Sequence, residues 1–140
     1  MASVKGVNFT NITADPVVNA DSGEWSGKLR VQFDTFEASS LASGSDISVA
    51  RLPSGAKVYD VAIHHDALGS GVTLAVGDSA DADRYITATA AANAGVISMH
   101  NDGAIGGVGF EQTAETDILI TTGGAAATGT IKCMVFYVVE

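Results

Sequence analysis

An all-β fold, a jelly-roll-like β-sandwich of about eight antiparallel strands behind an extended N-terminal arm, is predicted by three features of the sequence. Apolar and polar residues alternate with a period of two along most of the chain, Gly, Pro, Asn and Asp break these runs at short intervals, and only one stretch is a plausible helix. Short strands with turn signals between them fold most economically as two packed sheets.

Residues 1–27 read as an arm or long loop, because Val4, Val7, Phe9 and Ile12 are spaced unevenly among Asn, Thr, Asp and Gly. Such a segment either completes the sandwich as a terminal strand or packs on a neighbouring subunit. The sandwich itself is assigned to residues 28–140. In Lys28-Leu29-Arg30-Val31-Gln32-Phe33 the two residue classes interchange strictly, the pattern of a half-buried strand. Ile47-Ser48-Val49-Ala50-Arg51-Leu52 repeats it and stops at Pro53-Ser54-Gly55, where proline fixes φ and glycine permits the turn. Lys57 to His64 follows, with Tyr59, Val61 and Ile63 expected in the core. Val72-Thr73-Leu74-Ala75-Val76 gives the next strand and closes at Gly77 beside an acidic loop.

Ala80 to Ala94 is the one plausible helix, rich in alanine but weakened by the β-branched Ile86, Thr87 and Thr89, so a short helical turn at most is expected. Val96 to His100 meets Asn101-Asp102-Gly103, whose Asp-Gly pair suits a tight hairpin returning along Val108 to Gln112. Asp117 to Thr121 and Thr130 to Val139 flank a flexible linker, Thr122 to Gly129. The last strand is apolar on both faces near its end, which places it centrally or under a partner.

The 140 residues make one domain. Area scaling gives about 6,800 Å² exposed when folded against about 20,600 Å² unfolded, enough burial for a core without disulfides or metal. Hydrophobic residues are 46% and charged residues 16%, which excludes disorder and leaves an unusually uncharged surface suited to contact. No apolar run is long enough for a membrane span, and the N-terminus lacks the basic start and apolar core of a signal peptide, so a soluble protein is expected. The net charge of −9 repels nucleic acid phosphates. The single Cys133 has no internal disulfide partner and suits a reducing cytosol.

Near-matches to catalytic and ligand motifs fail on physical grounds. Gly77-Asp78-Ser79 resembles a hydrolase nucleophile motif, but it follows a sandwich strand and opens an acidic turn. Gly23-Glu24-Trp25-Ser26-Gly27-Lys28 has too few residues between its glycines for a phosphate loop, with Leu29 where Ser or Thr is needed. Gly103 to Gly109 lacks the dinucleotide spacing. His64 and His65 are strand neighbours and point to opposite faces, so they do not share a metal ion. Asp78, Asp81 and Asp83 lack the Gly and bidentate Glu of a calcium loop and read as a solvated turn, with cation binding left open. The two Asn-X-Thr sequons at Asn8 and Asn11 matter only in a secretory pathway. Trp25, Tyr59, Tyr85, Phe110 and Tyr137 are few enough that the core takes them before a sugar-binding groove does. No catalytic residue, cofactor site or metal site is assigned, and the chain reads as a non-enzyme.

Several runs carry a resemblance. Leu41-Ala42-Ser43-Gly44-Ser45-Asp46-Ile47, Arg51 to Asp60, His64 to Asp78, Asp83-Arg84-Tyr85 and Thr121 to Thr130 resemble small tailed-phage virion proteins over roughly residues 28–139. Size and pattern are most similar to the jelly-roll capsid cement (decoration) proteins of short-tailed phages, of the kind a Bordetella phage carries. The resemblance implies a protein made in the host cytoplasm and placed on the capsid exterior, bound to the major capsid protein and to itself as a homodimer or, second, a trimer. It implies no nucleic acid or membrane partner. The candidate capsid or subunit interface is Val4, Val7, Phe9, Ile12 and Trp25. The competing reading is a host-recognition module, a fibre or glycan-binding domain that uses exposed loops. A cupin-like enzyme would need several His and a carboxylate inside one barrel, and the chain has three His.

Overall fold

The computed structural model describes residues 2–103 and 105–139. Within them lie one short helix, α1 (Val7–Ile12), and eight strands: β1 (Arg30–Leu41), β2 (Asp46–Leu52), β3 (Ala56–His65), β4 (Thr73–Gly77), β5 (Ile86–Ala90), β6 (Gly95–Ser98), β7 (Thr116–Gly123) and β8 (Ala127–Val139). One four-stranded sheet has the order β1-β8-β3-β6 and the other β2-β7-β4-β5. All pairings are antiparallel, and β1 meets β8, β2 meets β7, β3 meets β6 and β4 meets β5. That nested pairing is one long hairpin rolled over into two layers, the jelly roll expected from the sequence.

The inner faces of the two sheets supply the core. Leu52, Val58, Val61, Ile63, Leu74, Val76, Ile118, Ile120 and Val135 are fully buried, each contributing about 1.5–3 kcal/mol through removal of apolar surface from water. Strand β8 lies between β1 and β3, as its two apolar faces suggested. Gly124, in the short crossing from β7 to β8, has φ +79°, and a Cβ there would sit 1.9 Å from the Gly71 carbonyl oxygen. Only glycine lets the chain change sheets so abruptly.

Four expectations are corrected. Residues 80–94 form no helix: Ile86 to Ala90 is β5, paired with β4, because the β-branched residues prevail over alanine. Asn101-Asp102-Gly103 makes no hairpin. β6 ends in a 3₁₀ turn, Met99–Asn101, and Val108 to Gln112 is no full strand, touching β3 in one isolated bridge from Lys57 to Glu111. The Thr122 to Gly129 linker is largely strand, since β7 reaches Gly123 and β8 starts at Ala127. In β3 a bulge between Val58 and Asp60 shifts the alternation, so Val58 takes the core position expected for Tyr59, which is half-buried.

The arm ahead of β1 holds α1 and has no buried residue from 2 to 22. The folded chain exposes 7652 Å², more than the roughly 6,800 Å² of a compact protein of this mass, in keeping with an extended segment.

Candidate interaction surface

The alternation of β1 faces the opposite way from a half-buried strand. Phe36 and Ala38 pack on the core, and Gln32 shares their side, whereas Val31 and Phe33 are 55% and 60% exposed and Leu29 just ahead of the strand is exposed too. The β1–β8 register causes this: Phe36 pairs with Ile131 and Asp34 with Cys133, both core residues of β8. A strand's side chains change faces as a set, so fixing Phe36 inward turns the whole odd series outward.

Opposite those residues on β8, Val31 pairs with Phe136 and Phe33 with Met134, and the next strand adds Ala62 beside Met134. Ile131, Cys133, Val135 and Tyr137 are buried inward, so Met134 and Phe136 point out. The outer face of this sheet thus carries an apolar patch of Val31, Phe33, Ala62, Met134 and Phe136, bordered by Asp60 opposite Phe136, whose carboxylate lies 3.0 Å from His100, and by Lys132 and His64 one step along the ladder. Sequence reading missed it by treating β1 as an ordinary half-buried strand; the signal was the apolar outer side of β8.

One end of that outer face is covered by the arm. Lys57 pairs with Val138 across the ladder, and both are buried there, Lys57 to 3% exposure. The Lys57 ammonium donates to Glu24 Oε1 at 2.7 Å and to Asp21 Oδ2 at 3.0 Å, with Glu111 at 3.9 Å. Tyr59 hydroxyl donates to the Gly23 carbonyl at 3.3 Å. Asn8 bonds the other oxygen of Glu24 at 2.8 Å, which joins α1 to the same knot. The Asn8 and Lys57 hydrogen bonds hold the Glu24 carboxyl below its ordinary value.

Of the arm residues singled out by sequence, Phe9 and Trp25 are brought together edge to face at 6.4 Å. Val4 and Val7 are strongly exposed and Ile12 is half-buried. Of the five aromatic residues assigned to the core, Tyr85 and Tyr137 are buried. Trp25 is exposed, Tyr59 is half-buried, and Phe110 is half-buried beneath the Arg84 guanidinium at 3.9 Å.

The groups weighed for chemistry have structural work. Asp78 is buried and accepts from Arg84 Nε at 2.7 Å and from the Ala80 and Asp81 N–H groups, both at 3.0 Å. Burial alone would raise its pKa; bonds from Arg84, Gln112 and those main-chain donors outweigh it and hold the carboxyl low. Burial pushes the Cys133 thiol up to about 12. His65 is buried against the Asp66 carbonyl while His64 is exposed. Among the described residues no group of three or more His, Cys, Asp or Glu is placed to hold a metal ion.

The fold and surface together define a two-sheet jelly roll with an apolar patch on one outer face and an arm knotted across its end. No family model matches the chain, and no curated protein matches it in sequence. Solved structures do. The chain is similar to one in the capsid asymmetric unit of cyanophage Pam1, with a TM-score of 0.66 and 24% identity over 87% of this chain and 90% of that one. It is similar to a chain in the capsid of Ralstonia phage GP4, with a TM-score of 0.64 and 18% identity over 81% and 86%. A chain in the capsid of Helicobacter pylori bacteriophage KHP30 follows at 0.54 and 13%, over 79% and 87%. At these identities the likeness is one of fold.

Proposed function

We propose that this protein is a structural component of a phage virion, a capsid cement that binds the outside of the major capsid shell as a dimer and stabilises it against the pressure of packaged DNA. The observation that carries this reading is the apolar patch of Val31, Phe33, Met134 and Phe136 on the outer face of a jelly roll similar in fold to chains in the capsids of two phages. A monomeric globule has no use for an inverted strand that turns apolar residues to water.

In this reading the rigid sandwich lays its outer sheet face on the shell, and the arm adds Val4, Val7, Phe9, Ile12 and Trp25 as contacts to a neighbouring subunit. Apolar side chains lose little on desolvation, so each contact is modestly favourable and many copies add through avidity. Heads assembled without the protein should rupture at lower temperature and under milder osmotic shock than heads that carry it. Equal rupture thresholds for the two would refute the cement role.

A further inference from the structure

The four sheet edges of the sandwich are unequal. Strands β5 and β6 have five and four residues, while β2 has seven and is broken by a bulge between Ser48 and Ala50. The β2 edge is also blocked, because the Gln32 amide takes both the N–H and the carbonyl of Arg51. The β1 edge has twelve residues, and its register with β8 runs unbroken from Arg30 to Ala38. Long edges of this kind are templates for another strand unless something covers them.

The groups on that edge can be assigned. The Thr35 N–H is bonded to the Asp34 carboxylate at 2.8 Å, which turns it away from β8. A strand residue sends its N–H and carbonyl to the same side, so Val31 and Phe33 present uncapped main-chain groups to the free edge, whereas the Asp34 carboxylate caps the N–H of Thr35 beyond them. These odd residues are the ones whose side chains form the outer apolar stripe.

We propose that β1 is the dimerisation edge, pairing antiparallel with β1 of a second copy about a two-fold axis at Gln32. A two-fold normal to the sheet keeps each side chain on its own face, so odd residues pair with odd and even with even. In this register Arg30 lies opposite the partner's Asp34, twice per dimer, and Val31 lies opposite the partner's Phe33. The charges complement one another and the apolar stripe runs on from one copy to the next. Two outer faces become one continuous surface. This deepens the dimer proposed above and rests on that reading.

The test is sedimentation and oxidative cross-linking of the purified full chain. Wild-type protein should sediment as a dimer at micromolar concentration. Arg30→Asp, a change at an exposed position, sets like charges opposite each other and should weaken the dimer about tenfold or more. Arg30→Asp combined with Asp34→Arg should restore it. Arg30→Cys with Asp34→Cys, made in a Cys133→Ala background because Cys133 lies directly opposite position 34 on β8, should cross-link readily between copies, since directly opposite residues of a non-hydrogen-bonded pair lie about 4.5 Å apart at Cα. A wild-type dimer indifferent to Arg30→Asp and resistant to the cysteine cross-link overturns this edge and leaves the dimer reading standing. A wild-type monomer that gives no cross-link overturns both.

Discussion

Gln32 lends both ends of its amide to Arg51: Nε2 donates to the Arg51 carbonyl at 2.7 Å, and Oε1 accepts the Arg51 N–H at 2.9 Å. Nε2 also reaches the Tyr137 hydroxyl at 3.1 Å. A polar side chain on the core-facing side of β1 therefore ties the edges of two sheets together. Gln32→Ala should cost about 1–2 kcal/mol, read as a lower urea midpoint with an unchanged slope. A midpoint equal to wild type would show that water replaces the amide at no loss.

The outer patch should be dispensable for folding. Val31→Ser and Phe33→Ser should each change stability by no more than about 0.5 kcal/mol, as exposed positions do, while reducing shell binding. Ile63→Ala, fully buried in the next-but-one strand of the same sheet, should cost about 2–5 kcal/mol. Comparable losses from Phe33→Ser and Ile63→Ala would place Phe33 in the core.

Acid should loosen the arm and the β4–β5 turn together. The Glu24 carboxyl, ordinarily at 4.5, and the Asp78 carboxyl, ordinarily at 3.8, are both held lower in the folded chain. Their contribution is complete above those ordinary values and is lost as pH falls through the lower folded ones. Urea midpoints should therefore drop steeply in that acid range, and Glu24→Gln with Asp78→Asn should flatten the fall. An equally steep fall in the double variant would assign acid lability to other carboxylates.

Two glycines with positive φ should respond differently to alanine. At Gly44 a Cβ meets nothing within 4 Å, so Gly44→Ala should cost about 1–2 kcal/mol from backbone strain alone. At Gly124 the same change adds a collision with the Gly71 carbonyl, and the loss should be clearly larger, measured by thermal unfolding. Equal melting temperatures would mean that the crossing relaxes freely.

Much of the sandwich was legible because its pattern is local. Ile47 and Val49, separated by Ser48, and Val72 and Leu74, separated by Thr73, sit in the core as alternation requires. The failures came where a distant partner decides the outcome. The bulge that swaps Val58 for Tyr59 is set by pairing with β8, and the outward turn of Val31 by Phe36 docking opposite Ile131. Neither partner is visible in the local pattern. The arm was readable as irregular, but nothing in its spacing disclosed that Asp21 and Glu24 close on a buried Lys57. Buried lysine is rare enough that its sequence position alone gives no cue.

Electron cryomicroscopy of the intact particle tests the central claim most directly. The account predicts an ordered lattice of this jelly roll over the outer capsid surface, with Val31, Phe33, Met134 and Phe136 against the shell. A few copies confined to the tail or vertices, or a lattice in which that face looks out to solvent, would contradict it.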